Sequence, residues 1–436
     1  MRSIKSAILL CAMTALALAC AGVEARAGAK RGAAGFVKLF DGRTLDGWKL
    51  VGGVGPGYVP KDGILVCPSD GGGNLYTEKE YSDFVFRFEF KLESGSNNGI
   101  GLRAPLGGDS AYMGMECQVL DDSAPMYAHL EPGQYHSSIY KVLPAKRGSL
   151  KPVGQWNKEE ITAVGRHIKV VVNGMVTVDA SLNDVTDPKV LFEHPGCRRD
   201  RGHLGFLGHG PAAVEFRNIA VKDLGKPEKD NTPPDGFTTL YNGKDLKGWK
   251  GLVADPPHRA NMSPLDLATA QKKADTGAMQ HWKADGGEIV YDGKDNSLCT
   301  VKDYADFEML VDWKIEKAGD SGIYLRGSPQ VQIWDPDNHP GRPGEGSGGL
   351  YNNQKNPAGP SKRADNPIGD WNRFRILMVG EKVTVYLNNE LVVNNVTMEN
   401  YWERDKPIYP TGQIELQHHG SILRFKNIYI REIPHR

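Results

Sequence analysis

Hydrophobic and polar positions alternate with a period of two along much of the chain. Residues 84–90 carry Phe at every second position, and residues 168–172 carry Ile or Val at every second position before Asn173-Gly174. A period of two places successive side chains on opposite faces of a β-strand, and Asn-Gly is a strong hairpin signal. The pattern therefore predicts an all-β chain of short antiparallel strands stacked as two-sheet sandwiches.

One segment departs from the strand pattern. Ser263 is a favourable N-cap residue, and Pro264 suits the first position of a helix. The residues from Pro264 through Lys273 lack a period of two. We expect a helix here, as an insertion near the first strands of the second half.

The two halves of the chain repeat one ordered series of motifs. The order is kept over nearly all of both halves, which indicates two copies of one domain. We expect the first domain at residues 35–222 and the second at residues 236–436, joined by the charged and Pro-rich linker 223–235. The matching segments are 40–48 with 241–249, 98–103 with 321–326, 116–121 with 330–335, 138–140 with 349–351, 153–157 with 368–372, 208–210 with 418–420, and 216–219 with 425–428.

The first 27 residues have the pattern of an export signal. Arg2 and Lys5 precede an apolar run, and Ala25-Arg26-Ala27 offers a cleavage site. The run is short for a membrane span. Cys20 follows a sequence that loosely resembles a bacterial lipoprotein box, so lipidation stays open. We expect an exported protein that is periplasmic or associated with the outer membrane.

The charge balance and the absence of several motifs disfavour some classes of partner and of chemistry. The 53 basic residues balance the 53 acidic residues, so no net field favours nucleic acid. No Walker loop, Gly-x-Ser-x-Gly elbow or His-Glu-x-x-His motif occurs, which disfavours nucleotide chemistry and zinc proteolysis. Four cysteines outside the signal segment form no C-x-x-C pair and no disulfide framework.

The strand around Glu116 carries polar groups on one face. Glu116 and Gln118 share that face, whereas Cys117 and Val119 share the other. The polar face could simply be solvated. It could instead line a groove for carbohydrate, joined by Arg103 from the neighbouring strand and by Asp121 from the strand end.

Other polar residues allow two interpretations each. His136 could transfer a proton or act as a structural donor. Lys146 and Arg147 could stabilise an enolate or form an ordinary charged turn. His209 lies between two glycines, where it could be a site residue or an incidental member of a tight turn.

Taken together, the motifs resemble the 3-keto-disaccharide hydrolase family. The resemblance covers both copies and about nine tenths of the mature chain. It implies a concanavalin A-like jelly roll in each copy, and cleavage of glycosides whose sugar carries a ketone at carbon 3. A partner oxidoreductase would form that ketone. The resemblance rests on residues 39–48, 98–103, 116–121 and 154–157 in the first copy and on residues 320–326, 332–335 and 369–372 in the second.

The implied chemistry suggests a role for each candidate. A ketone at carbon 3 acidifies the proton on carbon 2, so a base can remove it and the glycosidic oxygen can leave by β-elimination. Water then adds to the enone. Glu116 or His136 would act as base or acid, and Arg103 with Lys146 would stabilise the enolate. A divalent cation could serve as the electrophile.

The same resemblance extends the set of sugar-binding candidates. The second copy has Gln330 where the first has Glu116, so we expect the first domain to be catalytic and the second to bind sugar or to have diverged. A non-catalytic carbohydrate-binding protein and a classical retaining glycosidase remain the alternatives. The substrate-binding candidates are Gln118, Asp121, Tyr140, Arg147, His209, Arg326, Gln332, Asp335 and His419.

Overall fold

The computed structural model describes residues 35–338, 342 and 344–434. Their strands form four antiparallel sheets, two in each half of the chain. The predicted all-β class and the two tandem jelly-roll sandwiches are thereby confirmed. The expected export signal at residues 1–27, with Cys20, lies outside the described residues.

The first sandwich pairs an eight-stranded sheet with a five-stranded sheet. The larger has the order β11-β10-β9-β6-β13-β4-β3, with β1 paired to β13, and the smaller has the order β2-β5-β12-β7-β8. The strands are β1 Val37–Lys38, β2 Trp48–Val54, β3 Val59–Lys61, β4 Ile64–Cys67, β5 Gly72–Tyr81, β6 Phe84–Leu92, β7 Asn97–Ala104, β8 Met115–Leu120, β9 Trp156–Val164, β10 His167–Val172, β11 Met175–Ser181, β12 Gly202–Gly208 and β13 Val214–Asp223.

The second sandwich repeats this arrangement. Its larger sheet has the order β16-β17-β26-β19-β22-β23-β24, with β14 paired to β26, and its smaller sheet has the order β15-β18-β25-β20-β21. The strands are β14 Thr238–Thr239, β15 Trp249–Gly251, β16 Trp282–Asp285, β17 Glu288–Tyr291, β18 Leu298–Thr300, β19 Phe307–Ile315, β20 Asp320–Leu325, β21 Ser328–Trp334, β22 Asn372–Val379, β23 Lys382–Leu387, β24 Glu390–Thr397, β25 Glu415–Leu416 and β26 Leu423–Glu432.

Each sandwich has its own core between its two sheets. Strand β6 shows how the sequence builds it, because its four Phe rings are buried at alternate positions while the residues between them are partly exposed. Each fully buried Phe contributes roughly 1.5–3 kcal/mol of hydrophobic stabilisation. The opening Trp48 and Trp249 also pack into the cores, and each indole N–H donates to the carbonyl nine residues earlier, at 2.7 Å.

Helices are short and peripheral, with one exception. They are α1 Ser110–Met113, α2 Pro188–Glu193, α3 Pro256–Ala260 and α4 Pro264–His281. The predicted helical insertion is confirmed as α4, which Ser263 caps and which continues eight residues beyond Lys273 to His281. None of the helices in the described part of the chain is long and apolar enough to cross a membrane.

A buried ionic cluster joins the two sandwiches. Glu308 on β19 accepts from Arg375 and Arg431 at 2.7 Å each, and Arg198 of the first sandwich lies 4.0 Å away. Burial alone would raise the pKa of Glu308. The surrounding guanidinium charges outweigh burial and hold that pKa well below its ordinary value. Arg198 belongs to this cluster only while the two halves stay docked.

Candidate functional site

Strand β8 presents Glu116 and Gln118 on the outer face of the five-stranded sheet. Between them, Cys117 points into the sandwich and belongs to the hydrophobic core. Glu116 and Gln118 are 3% and 5% exposed, so their face is not a fully solvated surface. The alternation predicted from the sequence therefore sets their direction, and neighbouring side chains cover them.

The strands beside β8 determine what surrounds Glu116. Residues directly opposite each other across the sheet run in one row from Tyr140 through Glu116, Gly101 and Gly205 to Tyr76. Tyr140 donates its backbone N–H to the Glu116 carbonyl at 2.8 Å, and its hydroxyl accepts from Gln134 Nε2 at 3.1 Å. Directly opposite neighbours in a sheet point to the same face, so the Tyr140 side chain is on the same side of the sheet as Glu116.

Glycine makes room for the Glu116 side chain. A Cβ added at Gly99 would lie 1.9 Å from Glu116 Oε1 and 2.6 Å from its Cδ. The carboxylate therefore lies flat against β7, over the space that any other residue at position 99 would fill. Gly99 of the motif at residues 98–103 is therefore needed to leave space for the Glu116 side chain.

Glu116 and His209 form a hydrogen-bonded pair. His209 Nε2 lies 3.0 Å from Glu116 Oε1, and the histidine side chain is 37% exposed whereas the glutamate side chain is 4% exposed. Burial alone would lower the pKa of His209, but the hydrogen bond to Glu116 and its charge raise that pKa. The structure thus brings these two predicted site residues together, with the imidazole facing solvent and the carboxylate behind it.

An amide pair lies next to this dyad. Gln118 Nε2 donates to Asn97 Oδ1 at 2.9 Å. Asn97 was not among the sequence candidates, and its place at the start of β7 opposite Leu120 is what brings it to Gln118. Paired amides next to a carboxylate offer both donors and acceptors, which suits recognition of sugar hydroxyls.

Tyr76 and Ser110 were also missed from the sequence. The hydroxyl groups of Tyr76 and Ser110 are 2.5 Å apart, and Asp109 caps α1 just before the serine. Burial raises the pKa of Tyr76, and the charges of Asp109 and Glu116 contribute to that rise. Tyr76 lies 34 residues before Ser110, and only the strand order shows that they meet.

Arg103 does not join Glu116, contrary to the sequence-based prediction. Its φ of 49° interrupts the regular alternation of β7, and its guanidinium donates to the Ser82 carbonyl at 2.8 Å and to Asp83 at 3.3 Å. Arg326 in the second copy repeats this, with a φ of 56° and bonds to Ala305 and Asp306. Both arginines tie a strand end to a neighbouring turn.

His136 lies on the core side of the sheet, away from Glu116. Its ring packs 5.1 Å from the ring of Phe90, and its Nε2 is 3.8 Å from Glu159 Oε2. Glu159 also accepts from the Cys117 thiol at 3.3 Å. Burial lowers the pKa of His136 to about 3 and raises the pKa of Glu159 to about 8, so both are uncharged near neutral pH.

Of the remaining first-copy candidates, Arg147 and Asp121 lie at the far end of β8, whereas Lys146 pairs with β11. Arg147 stacks 3.7 Å from the ring of Tyr135 and lies 3.8 Å from Asp122. Lys146 donates its backbone N–H to Thr177. Asp121 accepts from Gly95 N–H and from Ser123, so its carboxylate holds a turn and does not face Glu116 as the second acid of a retaining glycosidase would.

The second copy rearranges the same positions. Gln332 donates to Asp320 at 2.7 Å, and His419 Nδ1 lies 3.4 Å from Asp320, while Gln330 bonds to Gln332. The histidine therefore pairs with a carboxylate on β20 instead of one on β21. Asp335 accepts backbone N–H groups at a turn, as Asp121 does.

The donor set around Glu116 does not match a divalent cation site. Within the described ranges, no group of three or more His, Cys, Asp or Glu side chains is arranged to hold a metal ion. Glu116 and His209 are two such side chains, and one nitrogen and one oxygen of the pair are already bonded to each other. We therefore derive no step that passes through a metal.

A cavity of about 520 Å³ lies elsewhere on the first sandwich, on the outer face of the eight-stranded sheet. It is lined by Phe36, Arg87 and Glu89 among others. It contains none of the residues around Glu116.

Comparison with known proteins gives a consistent family match. Residues 35–222 and 236–431 each match the model of the 3-keto-alpha-glucoside-1,2-lyase-like domain. A 3-keto-disaccharide hydrolase of Bacteroides thetaiotaomicron is 24% identical over 247 residues, which cover 45% of this chain and 78% of that protein.

Two solved structures are also similar to parts of the chain. A putative glycosyl hydrolase of Parabacteroides distasonis is 27% identical, with 47% of this chain and 100% of that chain covered at a TM-score of 0.37. A carbohydrate-binding module, CBM66, of Bacillus subtilis is 15% identical, with 41% of this chain and 96% of that chain covered at a TM-score of 0.27.

Proposed function

Because the chain belongs to the family of 3-keto-alpha-glucoside-1,2-lyase-like domains, we propose that its first sandwich cleaves the glycosidic bond of 3-keto-glycosides at Glu116 and His209. The observation that carries this proposal is the 3.0 Å contact between a buried carboxylate and a partly exposed imidazole on the outer face of the five-stranded sheet. Such a pair can take and return a proton at a site open to a ligand.

The reaction proceeds in two steps with balanced protons. A base removes the proton from carbon 2, the electron pair forms the double bond between carbons 1 and 2, and the glycosidic oxygen leaves from carbon 1 and takes up a proton. Water then adds its oxygen to carbon 1 of the enone and its proton to carbon 2. The products are the alcohol and the free 3-keto sugar, and the net change is hydrolysis.

In this proposal His209 is the base, and Glu116 orients it and stabilises its charge. Glu116 accepts the Nε2 proton of His209 and fixes that tautomer, which leaves Nδ1 as the atom that takes the proton from carbon 2. The imidazolium formed in this step is stabilised by the adjacent carboxylate. Tyr140, next to Glu116 in the row, is placed to donate to the enolate or to the leaving oxygen.

Gln118 and Asn97 would orient the sugar. Their amides lie two residues along the strand from the dyad and present one donor group and one acceptor atom beyond their mutual bond. An oxidoreductase that forms the ketone at carbon 3 must act before this enzyme, and we propose that both act outside the cytoplasm.

The test is turnover of a 3-keto-disaccharide by the full chain and its variants. Glu116→Gln and His209→Asn should each lower kcat/KM by roughly 100-fold or more, since general acid–base groups contribute about that much. Glu89→Gln is the matched control, because Glu89 pairs with Arg217 on the opposite sheet and should leave turnover unchanged.

Two results would overturn the proposal. Undiminished turnover in Glu116→Gln would remove the dyad from the mechanism. Sugar affinity without any product in the wild type would favour the non-catalytic binding protein instead. A parallel assay with chelator decides whether a metal takes part.

A further inference from the structure

The second sandwich has a row of polar side chains whose central positions are apolar in the first. Along residues 413–419, which include β25, alternate positions on the outer face carry Gln413, Glu415, Gln417 and His419, while Ile414 and Leu416 point into the core. The pairing of this segment with β20 and β18 places these side chains between two neighbouring strands. We call residues 413, 415, 417 and 419 the β25 polar row.

The equivalent row of the first sandwich is different in kind. The register of each β-sheet places His203, Gly205, Leu207 and His209 at the four matching positions. There the centre is a glycine and a leucine, and Leu207 packs with Tyr76 and Ala104 in a small apolar cluster. The second copy has thus replaced an apolar centre by a carboxyl and an amide.

A cavity opens at the Gln413 end of the row. It has a volume of about 320 Å³ and is walled by Pro256 and Arg259 of α3 and by Glu403 and Tyr409 of the loop that follows β24. Helix α3 belongs to the insertion that only the second copy has. The cavity is therefore a feature of this sandwich and not of the shared fold.

One buried polar atom beside the cavity lacks a partner. Gln413 lines the cavity and is 7% exposed, and its Oε1 accepts no hydrogen bond from any described residue. Buried polar atoms are nearly always bonded, so an unpaired acceptor in a side chain that lines a cavity indicates a place where a ligand donor could bind once the amide turns toward the cavity.

Charge and aromatic surface indicate the class of ligand. Glu415 is 7% exposed, and burial raises its pKa to about 7. The Arg259 guanidinium group is in the wall of the cavity, so the site does not favour a cationic ligand. Trp402, next to the cavity residue Glu403, keeps 38% of its surface exposed while its indole N–H donates to Gly327 at 2.7 Å. A fixed, exposed indole can stack on the apolar face of a sugar ring.

We propose that the second sandwich binds a neutral saccharide chain along the β25 polar row, with one ring in the cavity at Gln413 and against Trp402. Gln413 and Glu415 form hydrogen bonds with the sugar hydroxyls, and the indole covers one ring face. The seven residues from 413 to 419 span roughly 20 Å if extended, which is longer than a single sugar ring. This site does not depend on catalysis in the first sandwich.

Isothermal titration of the full chain with unoxidised sugars tests the proposal. The probes are trehalose, maltotriose, cellotriose and, as an acyclic polyol, sorbitol. The protein carries Glu116→Gln, so that the first sandwich is inactive. We expect saturable binding of at least one cyclic sugar and none of sorbitol, and a loss of affinity of about tenfold or more in Gln413→Leu and in Trp402→Ala.

The outcomes separate this site from the proposed catalytic site. Gln413→Leu in the otherwise native chain should keep full turnover of a 3-keto-disaccharide. We expect its melting temperature to be unchanged, which would show that it folds. Absence of saturable binding up to about 10 mM of every probe would overturn the proposal. So would binding that both variants leave unaltered, or binding that is seen in the native chain and is absent once Glu116→Gln is introduced.

Discussion

Adding one methyl group at Gly99 should disable the catalytic pair without unfolding the protein. Gly99 has no left-handed φ, so alanine fits its backbone. Its Cβ would nevertheless lie 1.9 Å from Glu116 Oε1 and 2.6 Å from Cδ, and the carboxylate would have to rotate away from His209. Extra volume in a packed place costs about 1–3 kcal/mol, and a displacement of about 1 Å in a catalytic group costs about 100-fold in rate.

The repeat offers a matched control. A Cβ at Gly322 in the second sandwich would lie 2.2 Å from Cγ of Gln330, so Gly322→Ala imposes the same kind of overlap on a non-catalytic side chain. We expect kcat/KM on a 3-keto-disaccharide to fall about 100-fold in Gly99→Ala and to stay within about threefold of wild type in Gly322→Ala. Equal activity of the two variants would refute the assigned position of Glu116.

Three further predictions concern charge. Glu308→Gln leaves buried guanidinium groups without a compensating charge and should destabilise the folded protein by about 3–5 kcal/mol. Calorimetry should show this as a fall of roughly 10 °C in Tm. Glu288→Gln, at a surface ion pair, is the control and should change Tm little. Burial raises the pKa of Glu159 in the folded protein from 4.5 to about 8. Protonated Glu159 therefore contributes to the stability of the folded state fully below pH 4.5, and this contribution is lost as the pH rises to 8. Glu159→Gln should raise Tm at pH 8 and leave it unchanged at pH 4. Glu116 raises the pKa of His209, so NMR titration should show a lower His209 pKa in Glu116→Gln. Because the pKa is raised in the folded state, the pair stabilises the folded protein at low pH, and this stabilisation is lost as the pH rises through the raised pKa.

Much of the fold could be predicted from local patterns. The period of two, the hairpin dipeptides and the ordered repeat indicate two sandwiches, because each is a property of neighbouring residues. The same reasoning places Glu116 and Gln118 on one face, since alternation along a regular strand holds over residues 115–120. His209 was a candidate because it lies between two glycines, in a segment that the repeat aligns with residues 418–420.

The rest of the site depends on information that local patterns lack. Arg103 was misplaced because a left-handed φ of 49° breaks the alternation on which its direction was based. His136 follows β8 in a loop whose side chains have no period, and the structure places its ring against Phe90 in the core. Tyr76 and Asn97 reach the site through strand order, which the sequence alone did not specify.

Cleavage of a 3-keto-disaccharide in D₂O tests the central claim most directly, with NMR of the released 3-keto sugar. The account predicts that the product carries deuterium at carbon 2, that carbon 4 stays unlabelled at early times, and that the unoxidised parent is not cleaved. Carbon 4 also adjoins the ketone, so it serves as the control for exchange without enzyme. Cleavage that leaves hydrogen at carbon 2, or equal cleavage of the unoxidised parent, would contradict proton abstraction by the pair of Glu116 and His209.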